Sequence, residues 1–329
     1  EENPLKGDLL IVDEFSMIDI NLLNHLLKAI RMDMKVVIIG DIDQLPSIGP
    51  GNVLKDIIQS GYFATIRLTQ IYRQESGSSI ITNAHRINHG EMPTANAVEG
   101  DFFYLPMEDQ RKIQAQIIHL VNKRLPDYYG LDPMEDIQII CPIKSGLIGT
   151  RRLNELVQEV LNPPHEDKSE VIFQTKRFRM GDRVMQFRNN YNIEWIDVDT
   201  LIKGEGIFNG EIGIIQSIDS VKKSVRVLFD RYKEVDFQYK ELKDLELSYA
   251  ITIHKAQGSE FKCVVLPISF IPPKMLSRNL LYTAVTRGSD LVVIVGDRKY
   301  LSMMIKAATS HERNSGLIDQ LRKFEDKLE

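Results

Sequence analysis

Two hydrophobic patterns divide the chain. The first is a set of short apolar runs, rich in Val and Ile and lacking strict alternation: "DLLIVDE" (8–14), "KVVIIGD" (35–41), "ATIRLT" (64–69), "DFFYLP" (101–106), "IQIICP" (137–142), "KCVVLP" (262–267) and "LVVIVGD" (291–297). Such runs predict parallel strands buried on both faces. Between several of them, apolar positions recur at helical spacing. Leu22, Leu23, Leu26, Leu27 and Ile30 share one face, with Asp19 as N-cap. "RKIQAQIIHLVNKRL" (111–125) and "GTRRLNELVQEVLN" (149–162) are amphipathic in the same way. Strands alternating with helices predict doubly wound α/β domains, with a change of domain near "MPTANAVEGD" (92–101).

The second pattern fills residues 178–247. "RMGDRVMQF", "GEIGIIQSI", "SVRVLFD" and "EVDFQY" alternate apolar with polar and are bounded by Gly, Asn and Asp. They predict a small antiparallel β-barrel inserted into the second α/β domain. Between them "RNNYNIEWIDVDTLIKGEGIFNG" (188–210) reads as a long surface loop. The expected domain spans are 1–100, 101–177, the insertion 178–247, and 248–329.

Composition adds exclusions. With 329 residues, 43% hydrophobic and 26% charged, the chain is an ordinary globular one with room for two or three domains. Its net charge of −5 argues against a globally basic nucleic-acid binder and leaves room for a local basic groove. Cys141 and Cys263 each sit beside an apolar run. They predict buried core thiols in an intracellular protein, with neither a disulfide framework nor a zinc site. No apolar run is long enough to span a bilayer. The acidic start "EENPLKGD" is not a signal peptide, and a core strand follows it almost at once.

Candidate chemistry sits at strand ends. "LLIVDEFSMID" (9–19) ends its strand in Asp13 and Glu14, a pair that in P-loop ATPases holds Mg²⁺ and orients the attacking water. "VVIIGDIDQLPSIGPGNVLKDI" (36–57) ends its strand in Gly40 and Asp41, with Asp43 and Gln44 in the following loop. Ligands bind at such carboxyl ends in open α/β sheets. Gln44 is either a reporter of a γ-phosphate or part of a polar turn broken by Pro46, Gly49 and Pro50. "LTQIYRQ" (68–74) sets Arg73 near the same edge. "YAITIHKAQGSEF" (249–261) carries Thr252, His254, Lys255, Gln257, Gly258 and Glu260, either as a site or as a solvated Gly turn. "LLYTAVTRGSD" (280–290) places Arg287 at the end of a helical stretch, where the helix dipole alone would favour it. No Gly-x-x-x-x-Gly-Lys-[Ser/Thr] occurs, and Lys144–Ser145 has no Gly before it.

Read in order, strand-Asp-Glu, Gly-Asp-x-Asp-Gln, Gln-x-Tyr-Arg-Gln, His-Lys-Ala-Gln-Gly-x-Glu-Phe and Tyr-Thr-Ala-x-Thr-Arg resemble motifs II to VI of superfamily 1 helicases. The resemblance is greatest to the RecD-like family, the alpha subunit of exodeoxyribonuclease V and its stand-alone bacterial relatives. It extends through "GTRRLNELVQEVLNP" and the barrel signature "GDRVMQFRNNYN…GIFNGEIG", with segment 191–206 longer than the family leads one to expect. It implies an α/β fold of two RecA-like, P-loop-type domains, the first incomplete, with the inserted β-barrel of Src-homology type. The family's phosphate-binding loop precedes motif II. The resemblance therefore implies the C-terminal portion of a longer helicase, holding half an ATP site.

The resemblance also implies roles. Asp13 would hold Mg²⁺ through the ion's water shell, and Glu14 would polarise the attacking water. Gln44 and Arg73 would reach the γ-phosphate from the first domain, and Arg287 from the second as an arginine finger in cis. Gly258 and Glu260 would lie by the nucleotide sugar, and Thr252 and His254 would face single-stranded DNA. ATP would draw the domains together and hydrolysis release them, giving 5′ to 3′ translocation in recombination or repair. Candidates for phosphate contacts are Lys144, Arg151, Arg152, Lys176, Arg177, Arg179, Arg183 and Arg188. Tyr191, Trp195 and Phe208 are candidate stacking platforms, with core packing as the alternative for Trp195 and Phe208. The implied cofactors are ATP and Mg²⁺. The implied partners are single-stranded DNA and, in a complex, nuclease subunits, in the bacterial cytoplasm and without a membrane. Two other readings stay open. One is a non-catalytic DNA-binding or interaction module of a nuclease-helicase assembly. The other is a UvrD-type helicase of opposite polarity, against which the short β insertion counts.

Overall fold

The computed structural model describes residues 4–68, 78–95, 99–307 and 315–325. In chain order the elements are β1 (Leu9–Val12), α1 (Ile20–Ala29), β2 (Lys35–Ile38), α2 (Val53–Ser60), α3 (Ser79–Asn88), β3 (Phe102–Pro106), α4 (Gln110–His119), α5 (Leu125–Tyr129), β4 (Ile137–Cys141) and α6 (Thr150–Leu161). A run of strands follows: β5 (Glu170–Phe173), β6 (Lys176–Arg179), β7 (Arg183–Gln186), β8 (Asn190–Asp197), β9 (Lys203–Ile207), β10 (Ile212–Asp219), β11 (Ser224–Phe229), β12 (Lys233–Gln238) and β13 (Leu245–Leu247). The last part holds β14 (Ala250–Thr252), α7 (Ile253–Ala256), β15 (Phe261–Ile268), α8 (Arg278–Val285), β16 (Gly288–Gly296), α9 (Arg298–Lys306) and α10 (Leu317–Glu325). Among the described residues no helix is long and apolar enough to cross a membrane.

Two compact units emerge. The first comprises Glu1–Thr94, Pro273–Thr286 and Ser302–Glu329. Its strands β1 and β2 pair in parallel, Leu9 opposite Lys35 through Val12 opposite Ile38. Asp19 caps α1, accepting from the Leu22 amide at 2.8 Å. Phe15, Leu23, Val53 and Leu54 form the buried cluster, with Ile57, Ile58 and Leu317 packed on it. Two expectations fail here. β1 and β2 are not buried on both faces: Leu9 is 52% and Ile11 58% exposed, because this small cluster leaves much of a two-stranded sheet uncovered. "ATIRLT" forms no strand over its described residues. Ile66 and Leu68 are 89% and 92% exposed, and an apolar run becomes a strand only where a neighbouring edge offers ladder bonds.

The second unit comprises Ala95–Pro272 and Arg287–Leu301. Its parallel sheet has the order β14-β4-β15-β16-β3. Every residue of β4 is buried, as the run "IQIIC" predicts for a strand covered on both faces. α4 continues through a π-helical turn, Leu120–Arg124, into α5. The β insertion is a curled antiparallel half-barrel of order β13-β7-β10-β11-β12-β8-β9 around Phe178, Val227, Phe229, Val235 and Phe237. Cys141 and Cys263 are buried free thiols.

A buried polar knot fixes the start of the half-barrel. The Asp182 carboxylate accepts from Gln158 Nε2 (2.6 Å), Asn162 Nδ2 (2.7 Å), the Arg179 amide (2.6 Å) and the Tyr249 hydroxyl (2.9 Å). Burial raises its pKa, and those four donors oppose the rise.

Four expectations about the insertion and its flank change. Residues 188–210 are not a surface loop. They contain the hairpin β8–β9, with β8 also paired to β12. Alternation at Tyr191, Ile193 and Trp195 and an Asp-led turn build it, the Asp197 carboxylate accepting from the amides of Asp199 and Thr200. Arg179 is not a surface cation. It is fully buried, donating to Glu170, Glu159 and the Asn162 carbonyl. Arg183 is also buried. It donates to the Ile137 carbonyl at 3.0 Å, and burial lowers its pKa to about 10. Lys176 is tied by its ammonium to the Leu245 carbonyl at 2.7 Å.

Candidate nucleotide and nucleic-acid site

The acidic pair is set by the β1–β2 ladder. The Ile39 amide donates to Val12 O at 2.8 Å and the Phe15 amide to Ile39 O at 2.9 Å. The ladder therefore runs past the strand ends and seats the Asp13–Glu14 turn beside Gly40–Asp41. Asp13 is exposed, and its carboxylate accepts from the Glu14 amide at 2.8 Å. Glu14 has φ 49°, a left-handed conformation uncommon for a residue with a side chain. It turns the chain into a short 3-10 helix whose Phe15 is an anchor with 0% exposure. Close approach of the two loops favours glycine at position 40. A Cβ there would lie 2.8 Å from Leu54 Cδ2 and 3.1 Å from the Ser16 nitrogen.

The loop after β2 is held from the other side by α8, within the same unit. The Tyr282 hydroxyl donates to Asp41 Oδ2 at 2.9 Å. The Leu45 amide donates to Thr283 Oγ1 at 2.8 Å, and Asn279 Nδ2 donates to the Asp43 carbonyl at 2.8 Å. Asn279, Tyr282 and Thr283 are spaced i, i+3, i+4 and so share one helical face. Asp41 also organises its own loop, accepting from the Asp43 amide at 2.9 Å and from Gln44 Nε2 at 3.4 Å. Gln44 is buried.

In the second unit, parallel pairing places Thr252 of β14 opposite Cys141 of β4. The segment Thr252–Lys255 and the loop carrying Lys144 therefore leave neighbouring strands at the same end. Two ammonium groups converge on one ring there: Lys255 Nζ lies 3.9 Å and Lys144 Nζ 4.9 Å from the centroid of Phe187. Lys255 also donates to the Phe187 carbonyl at 3.2 Å and to Asn209. Burial, then the Lys144 charge, hold its pKa below the usual lysine value. The Asn189 amide group donates to the Tyr191 hydroxyl at 2.9 Å, and Tyr191 stacks edge-on against Phe208 at 5.7 Å, both rings exposed. Arg151 and Arg152 are exposed in the first turn of α6, where Arg152 meets Glu155 at 2.8 Å. His254 is half-buried in α7.

Arg287 is 7% exposed and donates through Nη1 to the Ser259 carbonyl at 3.0 Å. That puts it against the turn of Gly258, whose φ of +75° favours glycine, and Glu260. Trp195 stands apart from the lysine cluster. It packs on the half-barrel core, edge-on to Tyr232 at 6.0 Å. Arg73 lies outside the described residues. Sequence reasoning missed Asn279, Tyr282 and Thr283 as partners of the Gln44 loop. Their signal was a polar i, i+3, i+4 face in a helix whose other positions after Arg278 are apolar. It also missed Phe187, for which no local pattern speaks.

Three family descriptions match in succession: an AAA domain over residues 2–101, an ATP-dependent RecD-like DNA helicase SH3 domain over 153–229, and a UvrD-like helicase C-terminal domain over 247–295. The ATP-dependent RecD2 DNA helicase of Deinococcus radiodurans is 34% identical over 97% of this chain, which spans 40% of that relative's length. The RecBCD enzyme subunit RecD of Mycolicibacterium smegmatis is 27% identical over 97% of the chain, which spans 55% of it. In fold the chain is similar to a Bacteroides Pif1 helicase solved with ADP-AlF3 and ssDNA, with a TM-score of 0.52 and 18% identity, covering 98% of this chain and 76% of that one. A RecD-like helicase SH3 domain match thus lies between AAA and UvrD-like helicase matches, and a RecD2 helicase and RecD subunits align along almost all of the chain, which makes it similar to RecD-like DNA helicases over nearly its whole length.

Proposed function

We propose that this chain carries most of the motor of an ATP-dependent DNA helicase that moves 5′ to 3′ on single-stranded DNA in recombination or repair in the bacterial cytoplasm. One observation carries the reading: the Asp13–Glu14 turn and the Gln44 loop leave adjacent parallel strands together, and the helix of the Tyr-Thr-Ala-x-Thr-Arg motif grips that loop. In this reading Glu14 polarises water, and Gln44, Arg73 and Arg287 meet the γ-phosphate. Gly258 and Glu260 flank the sugar.

Asp13 suits Mg²⁺ held through water. It is an exposed carboxylate at the end of β1, and among the described residues no three metal-binding side chains cluster, which fits an ion that would keep much of its water and be shared with substrate phosphates. When bound beside Asp13, such an ion would supply neutralisation of charge on a transferred phosphoryl group. Single-stranded DNA runs over Thr252, His254, Lys144, Arg151 and Arg152, with Phe187 and the Tyr191–Phe208 pair near the lysines. Trp195 contributes by anchoring the β8–β9 hairpin. Subunits of a larger nuclease-helicase complex are candidate partners in this reading, since two relatives are named as subunits of the RecBCD enzyme.

The test is steady-state ATP hydrolysis by the full-length protein with and without single-stranded DNA. Glu14→Gln should lower DNA-stimulated turnover by about 100-fold or more while leaving DNA affinity intact. Wild-type protein without DNA-stimulated turnover would defeat the reading, and so would an active Glu14→Gln variant.

A further inference from the structure

The grip of α8 on the Gln44 loop has a directional detail. Asp41 Oδ2 receives two donors, the Tyr282 hydroxyl at 2.9 Å and Gln44 Nε2 at 3.4 Å. A carboxylate only accepts, so the carboxamide of Gln44 must present its NH₂ side to Asp41. That fixes which end of the amide is which. Gln44 Oε1 is buried without a hydrogen-bond partner among the described residues, so nothing else there selects the orientation. The remaining N–H of the same Nε2 is the donor Gln44 can offer an anionic oxygen.

We propose that Tyr282 is a positioning residue: through Asp41 it sets the orientation of Gln44, and so links the sensor side chain to α8. The inference rests on the helicase reading above. Two backbone ties make the link stiff. The Leu45 amide on Thr283 and Asn279 on the Asp43 and Gln44 carbonyls fasten the loop on either side of Gln44 to the helical face that carries Tyr282. A shift of Gln44 toward a phosphoryl oxygen must pull on Asp41, and Asp41 pulls on Tyr282. α8 ends at Val285, two residues before Arg287. The relay therefore runs from the group that senses a phosphate to the helix that leads into the arginine.

The test is a double-mutant cycle in the full-length protein, read as DNA-stimulated kcat and as base pairs unwound per ATP consumed. Tyr282→Phe keeps the ring and removes the one proton that matters. It should lower kcat about tenfold and lower the unwinding yield per ATP, with the same melting temperature and single-strand affinity as wild type. Combined with Gln44→Ala it should add no further loss, because it acts through Gln44. Asp41→Asn should show the same lack of additivity. Should the Tyr282→Phe and Gln44→Ala losses multiply, or Tyr282→Phe keep wild-type kcat and yield, the positioning role is overturned. A wild-type protein that hydrolyses no ATP in the same assay would instead overturn the helicase reading beneath it.

Discussion

Arg287 shows how a single residue separates a motor from a scaffold. Its place after α8 fits two roles in sequence, a cap favoured by the helix dipole or a group that meets transferred phosphate. Burial to 7% and donation to the Ser259 carbonyl show a guanidinium held in place against the Gly258–Glu260 turn. As an arginine finger its charge counts mainly while the γ-phosphoryl group is in transfer. Arg287→Ala in the full-length protein should then cut ATP turnover by about two orders of magnitude or more. Affinity for single-stranded DNA without nucleotide should hold, since it comes from phosphate contacts elsewhere. A residue that only supported the turn would cost stability of about 1 kcal/mol and spare turnover. Steady-state ATPase, DNA binding and thermal melting on one preparation decide between these outcomes. Near-normal turnover in a well-folded variant would remove Arg287 from the mechanism.

Among the elements, the β8–β9 hairpin depends on one small residue. A Cβ added at Gly204 would lie 2.2 Å from Cζ2 of Trp195, whose ring packs on the half-barrel core. Gly204→Ala must therefore push Trp195 off its seat, an overpacking cost of about 1–3 kcal/mol. Denaturant unfolding followed by the fluorescence of Trp195, the one tryptophan in the chain, reads both the displacement and the loss. An unchanged midpoint and emission would mean that the hairpin does not rest on this contact. The same hairpin shows where sequence reasoning stops. β4, β15 and β16 were legible because "IQIIC", "KCVVLP" and "LVVIVG" carry apolar residues at consecutive positions and not only at alternate ones, which a strand covered on both faces requires. The hairpin alternates more weakly, and polar residues at its turn suggested a loop. "ATIRLT" shows the converse, with strand composition but no strand pairing over its described residues. The acidic pair and the Gln44 loop were legible because they end apolar runs. The α8 face and Phe187 were not, since their meaning comes from contacts made across more than two hundred residues for Tyr282 and Asp41, and from separate segments for Phe187, Lys144 and Lys255. Arg179 and Arg183 were misread because sequence alone does not tell a basic groove from a buried cation paired to Glu170 or to a backbone carbonyl.

At the scale of the whole molecule, the groups proposed to act on a transferred phosphate must be counted against those needed to grip it. Asp13, Glu14 and Gln44 supply carboxylates and an amide at the strand ends of the first unit, and Arg287 supplies a buried cation in the second. None of these replaces a glycine-rich loop whose amides cradle the β- and γ-phosphates together with a lysine. No such motif occurs in the 329 residues. This chain purified by itself should therefore show no ATP hydrolysis above background, with or without single-stranded DNA. Its cations at Lys144, Arg151, Arg152 and Lys255 should still give a salt-dependent affinity for single-stranded DNA, because that affinity needs phosphate contacts and no nucleotide. The measurement is ATPase alongside a DNA titration at several salt concentrations, on a preparation shown by intact mass to hold no other chain. Turnover stimulated by DNA in that preparation would mean that a phosphate grip exists within these residues. The roles of Asp13, Gln44 and Arg287 would then have to be reassigned around it.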